Sequence, residues 1–396
     1  MNTMPKRLGM FVHWGLYSIA GYHEQERWRL FIPRVEYTKL MDKFNPVDYN
    51  PEEIVLMAKA AGMEYICITT KHHDGFCMFD TAYTDFKITN TPYGKDILKM
   101  LADACEKHGI ALSLYYSIPD WNHPNAYNPK SSHQMEEEGD VPDTVLYREY
   151  VKNQMRELLT NYGKIYTLFW DISPGIDDPS INDFVRSLQP DILINDRGYD
   201  GGDFSTPERH VPDGHAFDRF TEACQAVGRQ SWGFRNNEDY YTSKFICQSI
   251  DKILVMGGSY LLNVGPMPSG KIDEKSKASI KKVGDWYNKV KEAFVDVECA
   301  PDFFRHPWYL VTKRDNIVYI HFNRDAADSG LTLKPYDKAI KSATVLNNGQ
   351  KLEVAIDTMP DDKDWSTHVM NPPTLHLYNI PVEEFYHEPI VIKLEL

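Results

Sequence analysis

The stretch DTVLYREYVKNQMRELLTNYGKIYTLFWDISPG, residues 143–175, holds the pattern on which the fold turns. Its first part sets Leu146, Tyr150, Met155, Leu158, Leu159 and Tyr162 near the i, i+3/i+4 spacing of an amphipathic helix, predicting one over 143–162. Its second part, IYTLFWD (165–171), is a short apolar run suited to a buried strand. The run stops on Asp171, with Pro174 and Gly175 just behind to end the element. A helix leading at once into a wholly apolar strand is the unit of a parallel sheet covered by helices. A helix N-cap is one adequate reason for an acid at the lip of such a strand.

The same alternation runs from the start of the chain to about residue 295. Candidate strands are 8–14, 65–73, 110–117, 165–171, 191–196, 230–234 and 260–265; candidate helices are 51–62, 95–108, 143–162, 180–188, 241–256 and 273–294. Seven or so strands favour a closed (β/α)8-like, TIM-type barrel, with an open doubly wound sheet as the rival. After residue 298 the pattern changes. WYLVTKRDNIVYIHFN, GLTLK, SATVLNNGQKLEVAI, PTLHLYN and PIVIKLEL are β-prone runs punctuated by Asn-Gly and Asp-Asn turns, and predict a C-terminal antiparallel β-sandwich. The expected division is a barrel over 1–297 and a sandwich over 298–396. The acidic MEEEGD (135–140) reads as a solvated loop.

With 42% hydrophobic and 25% charged residues, the 396-residue chain has the composition of a globular protein with a substantial core. Its formal net charge of -14 argues against nucleic acid or an anionic membrane as the main partner, because phosphate neutralisation needs clustered Lys and Arg. Aromatic residues reach 13%; they fill cores, but flat apolar faces are also what sugar rings stack on. The six cysteines form no CxxC pair and lie mostly in apolar runs, which points to reduced, buried thiols. The N-terminus lacks the apolar stretch of a signal peptide, and no run is long enough to span a bilayer. The expectation is a soluble, cytoplasmic protein, or a periplasmic or secreted one if a leader has been removed.

In a parallel barrel the chemistry gathers at the C-terminal ends of the strands. Here the candidate strands end on His13-Trp14-Gly15, Lys71-His72-His73-Asp74-Gly75, Tyr115-Tyr116-Ser117, Asp171, Asn195-Asp196-Arg197 and Asn263. Each alone has a plainer explanation. His13 reads equally as a core histidine, Asn195-Asp196-Arg197 as a structural ion pair, and His72 with His73 as metal ligands. Together they predict a polar pocket with aromatic walls. Downstream, GGDFSTPERHVP (201–212) carries Glu208 in a loop bounded by Gly and Pro. Two carboxylates on neighbouring rim segments are the minimum for glycoside hydrolysis, one to give a proton and one to act as nucleophile or base.

These residues resemble a known set. FVHWGLYS, TTKHHDGFCMFDTAYTDF, LYYSIPDW, LFWDI, NDRGYDGGDFSTPE, SWGF and LLNVGPMPSG are similar to the successive motifs of the α-L-fucosidases of glycoside hydrolase family 29, over about residues 8–294. The resemblance implies a barrel with a C-terminal sandwich, no metal or organic cofactor, and retaining hydrolysis of terminal α-linked L-fucose from a fucosylated oligosaccharide or glycoconjugate. Carried over by position, Asp171 is the nucleophile and Glu208 the general acid/base. His13, His72, His73 and Tyr115 fall where the sugar hydroxyls are bound, Arg197 beside the nucleophile, and Trp28 on an aromatic of the pocket. Trp28, Trp232 and Phe234 are candidates for an apolar niche around the methyl of fucose. The chain departs from the family at Arg27-Trp28, where Glu-Trp is common, which raises Glu24 and Glu26 as alternative sugar-binding acids. It departs again at Phe-Trp-Asp-Ile, where Trp-Phe-Asp-Gly is more usual. Two rival readings are a catalytically silent carbohydrate-binding protein and a metal-dependent hydrolase built on His72, His73 and Asp74.

Overall fold

The computed structural model describes residues 5–212, 214, 216–304, 309–326, 328–333, 340–357 and 374–396. Seven parallel strands, β1 (Leu8–Val12), β2 (Tyr65–Lys71), β3 (Ala111–Ser117), β4 (Ile165–Asp171), β5 (Leu193–Ile194), β6 (Glu222–Ala226) and β7 (Ser259–Val264), form one sheet in the order β5-β4-β3-β2-β1-β7-β6. Between β5 and β6 runs the segment 204–208, which bridges Asn195 through Phe204 and pairs Ser205 with Thr221 and Glu208 with Cys224, all in parallel. It serves as an irregular eighth stave, so the ring closes as a barrel rather than ending as an open sheet.

One predicted strand is misplaced. Residues 230–234 form a loop, and the sixth strand is Glu222–Ala226, EACQA. The polar Glu222 and Gln225 and the small alanines hide it from a search for apolar β-branched runs. Trp308, Lys334 and Pro373, at the margins of predicted strands, lie outside the described residues.

Short helices α1 (Glu26–Arg29) and α2 (Arg34–Tyr37) follow β1. The larger helices are α3 (Pro51–Ala60), α4 (Ile97–His108), α5 (Thr144–Asn161), α6 (Pro179–Leu188), α7 (Ser243–Val255) and α8 (Glu274–Val290). Each larger helix starts at a side-chain cap: Asn50, Asp96, Asp143, Asp178, Thr242 and Asp273 accept backbone N–H groups of the first turn. On α5 the buried stripe is Tyr147, Tyr150, Val151, Met155, Leu158 and Leu159, whereas Leu146 is exposed. The large outer core and the small lumen core of the barrel follow strand parity. Met10, Val12, Ile66, Ile68, Leu112, Leu114, Leu168, Trp170, Leu262 and Val264 face the helices, while Phe11, Cys67, Tyr115, Phe169, Cys224 and Leu261 face the lumen. Two residues beyond Phe11, Phe169 and Leu261 come His13, Asp171 and Asn263, so alternation aims all three at the mouth of the barrel.

The C-terminal part contains β8 (Glu298–Cys299), β9 (Leu310–Arg314), β10 (Ile317–His321), β11 (Leu331–Leu333), β12 (Ser342–Val345), β13 (Glu353–Asp357), β14 (Thr374–Tyr378) and β15 (Val391–Glu395). They make a five-stranded sheet, β12-β15-β10-β9-β8, and a three-stranded one, β11-β14-β13, packed over an apolar core of their own. The sandwich is fastened to α7 and α8: Trp286 Nε1 donates to the Pro389 carbonyl at 3.0 Å, and buried His321 and Asp251 meet at 2.7 Å. Among the described residues no helix is long and apolar enough to cross a membrane.

Candidate active site

The mouth of the barrel holds a cavity of about 140 Å³ whose lining includes Phe11, His13, Glu24, Gln25, His72, His73, Tyr115, His133, Asp171, Arg197, Glu208 and Trp232. Its floor is the aromatic cap of the lumen. Phe11 and Phe169 rings lie 5.4 Å apart and Tyr115 stacks on Phe169 at 5.8 Å, so the floor is built of packed aromatic rings.

Asp171, at the end of β4, keeps a side chain only 13% exposed and is surrounded by donors. The Tyr115 hydroxyl donates to Oδ2 at 2.7 Å, and Arg197 Nη1 donates to Oδ1 at 3.0 Å. Burial alone would push the carboxyl up, but Arg197, His73 and the Tyr115 hydroxyl outweigh it and hold Asp171 below its ordinary value. Arg197 is itself fixed: Nε donates to Thr206 Oγ1 at 2.7 Å, Nη2 to the Thr206 carbonyl at 2.8 Å, and the guanidinium lies over Phe169.

The same Nη1 also donates to Glu208 Oε2 at 2.8 Å. One nitrogen thus touches both carboxylates, and Asp171 Oδ1 and Glu208 Oε2 lie no further apart than 5.8 Å, the two bonds laid end to end. Glu208 reaches this point from the eighth stave, where Cys224 N bonds the Pro207 carbonyl and Arg209 N bonds the Cys224 carbonyl. Exposure rises outward in order: His73 1%, Asp171 13%, Arg197 21% and Glu208 39% of each side chain.

Three histidines form the inner wall, and for two of them the protonated nitrogen follows from the neighbours. Asn263 Nδ2 donates to the Trp232 carbonyl at 2.7 Å, so its Oδ1 accepts from His13 Nδ1 at 2.6 Å. The Ser117 hydroxyl donates to the Pro119 carbonyl, so it accepts from His73 Nδ1 at 2.7 Å. Both rings therefore keep Nε2 as a bare acceptor. Burial pushes both imidazoles down to about 4, which keeps them neutral at neutral pH. Burial, followed by repulsion from His73, lowers His72 further; its Nδ1 meets no partner among the described residues.

Other candidate residues divide. Trp232 lines the cavity, stacked on His13 at 5.2 Å with the Arg209 guanidinium 4.6 Å from its ring centre. Trp28 stands outside it, 37% exposed, with its ring 5.8 Å from that of His133. Phe234 borders a different, small cavity. Of the two alternative acids, Glu24 lines the site and accepts from Ser231 Oγ at 2.8 Å and Trp232 N at 2.9 Å. Glu26 does not; buried near Asp74, it is pushed up to about 7, mainly by burial. Asp74 accepts from Tyr37 Oη at 2.8 Å and Phe76 N at 3.1 Å, which turns it away from His72 and His73. Among the described residues no three His, Cys, Asp or Glu side chains gather as metal ligands would.

Gln25, His133 and Ile172 line the cavity without having been legible as site residues. His133 comes from the β3–α5 connection, and the acidic loop within it is pinned rather than solvated. Glu137 pairs with Arg27 and accepts Arg34 N at 2.8 Å, and Asp140 pairs with Arg34 at 2.7 Å. The spacing of those acids and arginines, about a hundred residues apart, gives no local signal.

A family profile described as alpha-L-fucosidase matches residues 4–292. The human plasma alpha-L-fucosidase is 26% identical over 388 residues, covering 87% of this chain and 81% of that protein. Alpha-L-fucosidase isoenzyme 1 from Paenibacillus thiaminolyticus superposes with a TM-score of 0.86 at 33% identity, covering 98% of this chain and 96% of that one. A family 29 alpha-L-fucosidase from Bacteroides thetaiotaomicron, solved as a trapped covalent intermediate with 2-fluoro-fucosyl fluoride, gives 0.79 at 27% identity over 98% and 94%.

Proposed function

Because the chain belongs to the alpha-L-fucosidase family, we propose that its cavity hydrolyses terminal α-L-fucosyl residues of fucosylated glycans with retention, using Asp171 as nucleophile and Glu208 as general acid/base. The observation that carries the assignment is the single Arg197 nitrogen shared by the two carboxylates. Retaining glycosidases hold their carboxyl groups ~5–5.5 Å apart and inverting ones ~6.5–9.5 Å. An upper bound of 5.8 Å between the facing oxygens supports the retaining arrangement.

Asp171, ionised and pre-oriented by Tyr115 and Arg197, attacks the anomeric carbon as the bond to the glycosidic oxygen breaks. Glu208 gives that oxygen a proton and the aglycone leaves. Glu208, now a carboxylate, takes a proton from water as the water oxygen attacks the anomeric carbon, and Asp171 is released. Sugar hydroxyls donate to Nε2 of His13 and His73, while the aromatic floor takes the apolar edge of the ring, its methyl included. A sugar lacking a hydroxyl leaves a buried acceptor unpaired, which is the basis of selectivity. The covalent intermediate trapped in the Bacteroides relative supports the covalent step. The same reading divides the chain into a catalytic barrel (1–297) and a sandwich (298–396), a division supported by the change from parallel to antiparallel pairing at β8.

Proton NMR of the first-formed sugar from an α-L-fucoside tests the reading. The α-anomer appearing first is expected; the β-anomer, or no hydrolysis, overturns it.

A further inference from the structure

The inner part of the cavity is sealed. His13, His72, His73 and Tyr115 are each at most 4% exposed, so a fucosyl unit seated on Asp171 can extend only outward, past the rim. Two rim residues have an uncommon backbone. His133 has φ +55° and Ile172 φ +63°. The left-handed region is a true outlier for a β-branched residue, and such conformations persist where the surroundings enforce them. Here they do. Ser131 Oγ donates to the Ser173 carbonyl at 2.5 Å and Asn128 Nδ2 to the Pro174 carbonyl at 2.7 Å, tying the two loops together. Trp121 Nε1 donates to the His133 carbonyl at 2.7 Å, and Glu137 and Asp140 anchor the far end of the strap on Arg27 and Arg34. Positive φ turns the Ile172 side chain, directly after Asp171, into the cavity wall. From there the His133 ring, 5.7 Å from His73, leads to the Trp28 indole, 5.8 Å further out and open to solvent on one side.

Building on the roles given to Asp171 and Glu208, we propose that Ile172, His133 and Trp28 form the surface on which the sugar next to fucose packs, and so set the enzyme's preference among leaving groups. Two aromatic planes offer stacking faces for the C–H side of a sugar ring. Hydrogen-bonding groups flank them: Ser132 Oγ lies 3.0 Å from His133 Nδ1, and Gln25 lines the same wall. The two loops that carry His133 and Ile172 are clasped to each other, so that part of the site is held in place.

The test compares α-L-fucosyl disaccharides with α-L-fucosyl fluoride, whose one-atom leaving group cannot reach the rim. Ile172→Gly deletes the wall at a position where glycine is at ease, so the variant keeps the fold. In Ile172→Gly, His133→Ala and Trp28→Ala, kcat/KM for a disaccharide divided by that for the fluoride is expected to fall by about tenfold or more, the scale of losing one apolar contact surface. Trp28→Phe, which keeps a stacking face, is expected to recover most of that ratio. If both substrates lose activity in parallel, the residues hold the fucosyl unit or the fold, and the proposal is overturned; an unchanged ratio overturns it equally. A wild-type enzyme inert toward the fluoride as well as the disaccharide would instead bring down the assignment of Asp171 and Glu208, and the leaving-group site with it.

Discussion

The barrel mouth and the sandwich core bury their side chains under opposite rules. In the sandwich, Val318, Ile320, Leu333, Leu375, Leu377, Ile392 and Leu394 face one another from two sheets, and area removed from water accounts for their order. Its buried polar groups turn toward the barrel or to local partners, as His321 does to Asp251 and Asn347 Nδ2 to the Pro389 carbonyl. At the mouth, four histidines, three acids and an arginine line one cavity, with hydrogen-bonding atoms left over: Nε2 of His13 and His73, and Nδ1 of His72. Groups left over in this way cost stability and are complementary to a polar ligand. The sandwich is built to stay folded, and the mouth to be completed by substrate.

Replacing one residue in each place separates the two roles most widely. Asp171→Ala removes the carboxylate proposed as the nucleophile, and kcat on any α-L-fucoside is expected to fall by about 10⁴-fold or more with the thermal unfolding midpoint changed little. Near-normal turnover would remove Asp171 from the mechanism. Glu208→Ala comes next. For a sugar leaving group, kcat/KM is expected to fall by about 10²–10⁴-fold, the usual worth of a general acid. For fucosyl fluoride, whose departure needs far less protonation, the loss is expected to be much smaller. Equal losses on both substrates would mean that Glu208 is not the acid. In the sandwich, Leu377→Ala opens a cavity among fully buried neighbours. It is expected to cost about 2–5 kcal/mol in denaturant unfolding while kcat/KM per folded molecule stays at the wild-type value. A fall in kcat/KM for the folded fraction would mean that the sandwich shapes the site after all.

The two regions also differ in what the sequence reveals. Strand alternation and Asn-Gly turns make the sandwich legible because its order is local and binary. For the barrel, helix periodicity and apolar strands located six helices and six of seven strands; EACQA escaped because Glu222, Gln225 and two alanines leave no apolar β-branched run to find. Asp171, His13 and Asn263 were visible as strand ends because parity makes their direction predictable. Glu208 was visible only as an acid in a loop, since the irregular stave that carries it exists only once β5 and β6 are in place. His133, Gln25 and Ile172 gave no signal at all. A residue's φ is set by clasps such as Ser131 to Ser173, which join segments remote in sequence.

The smallest effect is the pH dependence that the leftover groups impose on stability. His13 and His73 sit at about 4 in the folded protein, against about 6.5 for a free imidazole. Between those values the unfolded chain takes up protons that the folded chain refuses. Their contribution is therefore complete above about pH 7 and is lost as pH falls through 6.5 toward 4. Each lowers stability at pH 5, relative to pH 8, by about 2 kcal/mol. His13→Gln removes one of these proton sites, so its unfolding free energy is expected to drop about 2 kcal/mol less than that of the wild type between pH 8 and pH 5. Leu377→Ala, which carries no titrating group, is expected to be destabilised equally at both pH values. If the His13→Gln curve runs parallel to the wild type instead, the protons are taken up elsewhere, and burial of His13 at the mouth does not impose this pH dependence.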